Sequence, residues 1–196
     1  MTETELDERT ALVVVDVQND FAHPDGSLYV REGERVIPGI NDLIREVRAA
    51  GGLVVYTQDW HPPETPHFVT SGGTWPVHCV RDTWGAQLHD ELTVDGPIVR
   101  KGTGGEDGYS GFTVRDGGTD EERPTELAEL LREHEIERVI VAGLAQDVCV
   151  RATAIDAVSL GFEATVPLEL TRAVNVNEGD DERANAEMEA AGVALG

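Results

Sequence analysis

The chain has 196 residues, and 38 acidic against 15 basic side chains give it a formal net charge of -23 at pH 7. This charge excludes binding to a nucleic-acid backbone or an anionic membrane surface, because both need clustered basic side chains to neutralise their phosphates. The length fits one domain, residues 1–196, with a sizeable core.

Runs of β-branched residues alternate along the chain with segments of helical periodicity. Strands are predicted at 12–15, 53–56, 97–99, 139–142, 164–166 and 193–195. Helices are predicted over 37–47, from about 124 to 131, over 152–161 and over 184–191. Because the strands are apolar throughout and helices separate them, we predict a three-layer α/β/α fold with a mostly parallel central sheet.

The segment 59–97 lacks periodicity and contains Gly, Pro, Trp and His, so it is predicted to be a functional loop. Residues 1–8 are acidic and lack the apolar core of a signal peptide, and no apolar run is long enough to span a membrane. A cytoplasmic location is therefore predicted. In that reducing compartment Cys79 and Cys149 are expected to stay unpaired.

Polar side chains follow four of the predicted strands. Asp16 follows the first strand, Asp59 and His61 follow the second, Lys101 follows the third and Cys149 follows the fourth. Ligands of parallel α/β sheets bind at the carboxyl ends of the strands, where the loops emerge. We therefore expect these side chains to meet at one edge of the sheet.

Lys101 is the only lysine, and the other fourteen basic residues are arginine. By composition alone it could be an accident of a background poor in lysine. Its position favours a function, because a compact ammonium can tune a nucleophile or base in a way that a planar guanidinium cannot. Asp16, Lys101 and Cys149 supply a base, a cation and a nucleophile for acyl transfer. A helix N-terminus and Lys101 are expected to favour the thiolate of Cys149.

The histidines suggest a metal site. Asp59, His61 and His78 offer one hard oxygen and two imidazoles, a set that suits zinc, iron or manganese. His67 is a candidate for a further ligand. Cys79 could supply a thiolate, but we interpret it as structural because side chains of successive residues point in different directions.

Six ordered blocks carry a family resemblance: 16–21, 59–62, 75–80, 101–102, 109–112 and 143–150. Through them nearly the whole chain resembles the nicotinamidases of the isochorismatase-like cysteine hydrolase superfamily. The resemblance implies a cysteine amidohydrolase that converts nicotinamide to nicotinate and ammonia through a thioester, with pyrazinamide as a further candidate substrate. It also implies one divalent transition metal ion, with zinc favoured over iron or manganese. A homo-oligomer is expected.

The resemblance also assigns residues. The implied catalytic triad is Asp16, Lys101 and Cys149, and the implied oxyanion hole consists of the backbone N–H groups of Ala145 and Cys149. The implied substrate-binding residues are Phe21, Trp75 and Leu144, and a cis peptide is implied at Leu144-Ala145. The implied metal ligands are Asp59, His61 and His78, and His67 matches a histidine that is a ligand in only some members. Two positions depart from the family pattern and affect the expected pocket dimensions: Gln146, where Thr is usual, and Val148, where Tyr, His or Phe is common.

Three alternatives are weighed against this hypothesis. N-carbamoylsarcosine amidase-like enzymes share the Asp-Lys-Cys set but lack the metal ligands, and isochorismatases proper lack the cysteine. Both are disfavoured by Cys149 together with Asp59, His61 and His78. A catalytically silent module that only binds a small ligand is disfavoured by the complete triad.

The acidic, lysine-poor composition resembles that of halophilic proteins, and it predicts that salt stabilises the fold. Carboxylate repulsion extends over a Debye length of about 30 Å at 0.01 M salt but only about 3 Å at 1 M. The melting temperature should therefore rise gradually between low and molar potassium chloride. Neutral replacements of surface acids, with Glu121, Glu122, Asp180 and Asp181 as candidates, should weaken this rise. A flat or falling melting temperature would refute the halophilic interpretation.

Overall fold

A computed structural model of the chain describes residues 6–116, 119 and 121–196. Residues 1–5 of the acidic N-terminal segment, and Gly117 and Gly118 of the glycine-rich segment, lie outside the described residues. The described strands and α-helices are, in chain order, β1 (Thr10–Val15), α1 (Asn19–Ala22), α2 (Ile37–Ala49), β2 (Leu53–Asp59), β3 (Ile98–Lys101), β4 (Thr113–Arg115), β5 (Glu122–Pro124), α3 (Leu127–Glu133), β6 (Arg138–Leu144), α4 (Arg151–Ser159), β7 (Glu163–Val166), β8 (Thr171–Arg172), α5 (Asp180–Ala191) and β9 (Ala194–Leu195). A π-helical turn, Gln146–Val150, joins β6 to α4.

The central sheet has the strand order β3-β2-β1-β6-β7-β9, and β8 pairs with the carboxyl end of β6. Every described pairing within this sheet is parallel. The strands β4 and β5 form a separate antiparallel pair. The prediction of a mostly parallel central sheet is confirmed.

Helices cover both faces of the sheet, as the alternation along β1 illustrates. Leu12 and Val14 point into a core that includes the apolar side of α2. Val13 and Val15 point into a second core on the opposite face, which α3, α4 and α5 complete. Both sets are fully buried, so this strand is apolar at every position and not only at alternate ones. Among the described residues, no helix is long and apolar enough to cross a membrane.

Several short or polar elements escaped the sequence analysis. α1, β4, β5 and β8 have two to four residues each, which is too few to show a period. α5 begins at Asp180, before the predicted start at 184, because its first turn is acidic and carries no apolar signal. Acidic side chains in a first helical turn interact favourably with the helix dipole, so the early start has a physical reason.

The choice of Asp180 and Asp181 as exposed acids was wrong, since both are half-buried. An oxygen of the Asp180 carboxylate accepts a hydrogen bond from Asn177 N at 2.7 Å, so a neutral replacement there would also remove a structural contact. Glu121 and Glu122 are exposed as expected. Exposed glutamates on the helices that suit the salt experiment better are Glu46, Glu133 and Glu189.

The register of the strands decides what meets at the carboxyl edge of the sheet. Asp59, at the end of β2, pairs directly with Lys101, at the end of β3. Val15, at the end of β1, pairs with Gly143 of β6. A Cβ on Gly143 would lie 2.2 Å from Val15 O, so only glycine allows this close approach of β1 and β6. The carboxyl ends of four adjacent strands, and the residues just beyond them, therefore lie together at one edge of the sheet.

Candidate active site

Lys101 lies at the centre of the site with 1% of its surface exposed. Its Nζ is 2.7 Å from Asp16 Oδ2, in ion-pair contact. It also donates to Asp59 Oδ1 and, at 2.5 Å, to Gly108 O. The Sγ of Cys149 lies 3.8 Å from the same ammonium. The structure therefore brings together the residues that the strand ends were predicted to deliver.

Asp16 directly follows β1 and has a left-handed φ of 49°, a conformation that costs energy in a non-glycine residue and is common at functional sites. Thr57 Oγ1 donates a hydrogen bond to Asp16 Oδ1 at 2.6 Å. Complete burial raises the pKa of Asp16 to about 6, although Lys101 opposes this shift and Asp59 adds to it. One carboxylate oxygen of Asp16, one carboxylate oxygen of Asp59 and the Sγ of Cys149 lie within 4.8 Å of one another. Asp16 can therefore take up and release a proton near neutral pH beside the thiol.

Cys149 lies within the π-helical turn Gln146–Val150, a rare conformation that is frequent at functional sites. Burial raises the pKa of the Cys149 thiol well above its usual value, although Lys101 opposes the shift. Lys101 therefore favours the thiolate, as expected, but desolvation outweighs this effect in the resting site. The thiol needs a base, and Asp16 is adjacent. Cys149 and Cys79 are both unpaired.

Asp59 connects Lys101 to the histidines. Gln18 fixes its backbone, because Gln18 Nε2 donates to Asp59 O and Asp59 N donates to Gln18 Oε1, each at 2.8 Å. Asp59 Oδ2 lies 3.7 Å from His61 Nε2 and 4.0 Å from His78 Nε2. Burial alone would raise the pKa of Asp59, but Lys101 and His61 outweigh it and hold this pKa well below its usual range. The carboxylate is therefore ionised.

The side chains of His61, His67 and His78 are buried, and their ligating atoms lie within 4.8 Å of one another. The outer nitrogens of two rings are already bonded: His67 Nδ1 to Asp107 Oδ1 at 2.5 Å and His78 Nδ1 to Pro76 O at 2.7 Å. Each ring therefore keeps Nε2 for a ligand, an orientation that is typical of metal-binding histidines. Burial lowers the pKa of His67, and lowers that of His78 to about 4, which keeps both rings neutral as ligands must be.

His61 makes the strongest case for a metal ion. Both of its ring nitrogens are buried without a hydrogen-bond partner among the described residues. Leaving buried polar atoms unsatisfied costs about 1–3 kcal/mol each. A Cβ on Gly102 would lie 2.5 Å from the His61 ring, so the glycine after Lys101 makes room for it. Three imidazoles beside an ionised carboxylate are a donor set that fits a divalent transition metal ion.

A cavity opens onto the Cys149 thiol and onto the histidine group. Trp75 Nε1 donates to Tyr109 Oη at 3.0 Å and so joins two of its aromatic walls. The apolar and aromatic residues that line it are Phe21, Leu28, Val30, Trp75, Tyr109, Ala145, Val148 and Val174. The polar groups at its surface come from Asp59, His67, His78 and Cys149.

Phe21 and Trp75 line the cavity, as the resemblance implied, whereas Leu144 does not. The Leu144 side chain is fully buried in the core on the α2 side of the sheet, so its prediction as a substrate contact finds no support. The next residue, Ala145, borders the cavity instead, and the bond between the two is the implied cis peptide.

Four residues of the site had no predicted role: Gln18, Thr57 and Asp107, which act through their side chains, and Gly108, which acts through its backbone carbonyl. Gln18 lies inside a block that had been singled out, so its position next to Asp16 was a usable signal. Nothing in the local sequence indicates that Thr57 and Asp107 would bond Asp16 and His67, because each partner is about 40 residues away. The Gly108 carbonyl carries no side-chain signal at all.

The comparisons with known proteins agree with this geometry. An isochorismatase domain matches residues 10–195. The chain belongs to the isochorismatase family. The nicotinamidase of Escherichia coli strain K12 is 37% identical, over 94% of this chain and 93% of the relative.

Two solved structures of the family are also similar. PnC1 of L. infantum in complex with nicotinate has a TM-score of 0.89 and 38% identity, over 98% of this chain and 94% of that protein. The pyrazinamidase of Pyrococcus horikoshii in complex with zinc has a TM-score of 0.84 and 40% identity, over 96% of this chain and 98% of that protein. The similarity therefore extends over nearly the whole chain.

Proposed function

We propose that the chain is an amidohydrolase that converts nicotinamide to nicotinate and ammonia through a thioester on Cys149. The observation that carries this proposal is the junction at Lys101, which connects a thiol and its base to a three-histidine group across one cavity. The nicotinamidase named among the relatives, and the nicotinate bound to the similar L. infantum protein, support the same substrate class.

The first step is attack by the thiol. Asp16 takes the proton of Cys149, and the sulfur forms a bond with the amide carbon while the carbonyl π electrons move to oxygen. An acceptor whose pKa is about 6 suits this transfer near neutral pH. Lys101 stabilises the developing thiolate across the 3.8 Å between Nζ and Sγ. Its charge therefore offsets the desolvation that keeps the resting thiol neutral.

The tetrahedral intermediate carries an oxyanion, which we assign to the backbone N–H groups of Ala145 and Cys149. Both residues border the cavity. A preorganised donor of this kind contributes roughly 3 to 4 kcal/mol to transition-state stabilisation.

Ammonia then leaves and water completes the reaction. The carbon–nitrogen bond breaks as protonated Asp16 gives its proton to the departing nitrogen, and a thioester remains on Cys149. Asp16, ionised again, removes a proton from water as the oxygen attacks the thioester. Collapse of this second intermediate releases nicotinic acid, which ionises to nicotinate, and Asp16 gives its proton to the departing sulfur, which restores the thiol.

Asp59, His61 and His78 would hold one divalent metal ion, with His67 as a further ligand, and zinc fits these donors best. When bound, the metal would contact the pyridine nitrogen and so orient the ring for attack, without supplying a hydroxide nucleophile. Phe21 and Trp75 would pack against the ring. Pyrazinamide differs from nicotinamide by one ring nitrogen, and we propose that it is a second substrate. The homo-oligomeric state and the cytoplasmic location stay predictions.

Replacing Cys149 tests the nucleophile. In an assay of ammonia release from nicotinamide, Cys149→Ala should fall below about 10⁻⁴ of wild-type turnover, because no other group can form the thioester. Cys79→Ala is the matched control, since the only hydrogen bond of the Cys79 thiol to a described residue is to Gly85 O, at 4.0 Å, and most turnover should persist. Substantial ammonia release by a correctly folded Cys149→Ala protein would exclude the mechanism.

Removing the metal tests the histidine group. Elemental analysis of the purified protein should find about one transition metal ion per chain, and chelation should raise KM or stop turnover because the ring loses its anchor. Adding zinc back should restore the original KM. Full activity in metal-free protein would instead favour an N-carbamoylsarcosine amidase-like enzyme.

A further inference from the structure

Asp20 is a buried carboxylate to which the mechanism gives no role. It lies in α1, four residues after Asp16, and is 7% exposed. Its two oxygens accept backbone hydrogen bonds from different segments: Oδ2 from Cys79 N at 2.7 Å and Oδ1 from Ser27 N at 2.9 Å. The carboxylate therefore connects α1 to the loop that contains His78.

The backbone of Cys79 connects two of the histidines. It follows His78 in the chain, and its carbonyl accepts a hydrogen bond from His61 N at 3.0 Å. Its φ of 45° is left-handed, a conformation that a non-glycine residue keeps only where its surroundings impose it. The bond from Cys79 N to Asp20 is such a constraint, and it acts on a residue that is adjacent to His78 in the chain and hydrogen-bonded to the backbone of His61.

Gly85 confines the carboxylate from the other side. Asp20 N donates to Gly85 O at 3.0 Å, and a Cβ on Gly85 would lie 2.1 Å from Asp20 Oδ2. The carboxylate therefore occupies the space that any larger residue at position 85 would need. Its place beside Cys79 N is set by packing as well as by hydrogen bonds.

We propose that Asp20 is a positioning residue of the metal centre, which sets the spacing of His61 and His78 by holding the backbone of Cys79. This inference rests on the proposed metal-containing function. Hydrogen bonds to an ionised carboxylate are about twice as strong as neutral ones, so Asp20 is suited to keep a left-handed residue in place. Groups that orient metal ligands typically change metal affinity by about 10- to 100-fold when they are replaced.

The experiment measures the affinity of metal-free protein for Zn²⁺ by competition with a chromogenic chelator. Asp20→Asn has the same shape, but its amide nitrogen cannot accept a hydrogen bond, so one of the two N–H groups loses its partner. Zinc affinity should fall about 10- to 100-fold. A purely structural role would lower the melting temperature of the metal-free protein and leave zinc affinity unchanged.

Asp147→Asn is the matched control. The Asp147 carboxylate is 5% exposed and also accepts two backbone hydrogen bonds, from Val174 N at 2.9 Å and Asn175 N at 2.8 Å. These donors lie in a segment that contains no candidate metal ligand. Zinc affinity in this variant should stay within about twofold of wild type, since the histidine spacing is untouched.

A second variant covers the case in which Asp20→Asn does not fold. Gly85→Ala keeps the carboxylate but displaces it from Cys79 N, and zinc affinity should fall as it does in Asp20→Asn. Wild-type affinity in whichever of the two variants folds would overturn the role of Asp20. Failure of the wild-type protein itself to bind zinc would instead count against the proposed metal site, so the two failures are distinguishable.

Discussion

One buried ammonium group serves two carboxylates, and both halves of the site depend on it. Lys101 contacts Asp16 on one side and Asp59 on the other, and none of the three is more than 4% exposed. Two carboxylates with one cation leave a net negative charge in a desolvated place, which is unfavourable. The two carboxylates respond differently to this excess of negative charge. The pKa of Asp59 is held low, because the histidines add to the effect of Lys101, whereas burial raises the pKa of Asp16 to about 6. One carboxylate can therefore stay ionised beside a metal ion while the other exchanges a proton with the thiol.

The same arrangement explains why the one lysine stands where it does. An ammonium places three donors around a single nitrogen, and here they meet Asp16, Asp59 and Gly108 O. A guanidinium is planar and larger, and its fork matches the two oxygens of one carboxylate better than two separate carboxylates. The fourteen arginines of the chain show that cationic charge is otherwise supplied by the guanidinium. The contacts of Lys101 therefore fit the geometry of a lysine ammonium better than that of a guanidinium.

The sequence was sufficient to predict which side chains meet at the carboxyl edge of the parallel sheet. Asp16, Asp59, Lys101 and Cys149 lie at or beyond the carboxyl ends of adjacent strands, and the rule that parallel strands end at one edge brings them together. What depends on burial and on distant backbone contacts could not be predicted. The raised pKa of Cys149 follows from desolvation, which a residue type does not reveal, and Val174 reaches the cavity only through the fold. The implied contact of Leu144 failed for a related reason, because its side chain is directed into the core.

We infer that catalysis depends on the compact ammonium of Lys101, and not on positive charge alone. The most direct measurement is the rate of ammonia release from nicotinamide by Lys101→Arg, with its folding verified by a thermal melt. Lys101→Arg should lose about 10²- to 10⁴-fold in rate, since a planar guanidinium cannot contact both carboxylates and leaves one buried carboxylate without its partner, which typically costs about 3–5 kcal/mol. A well-folded Lys101→Arg protein with turnover near that of wild type would contradict the account.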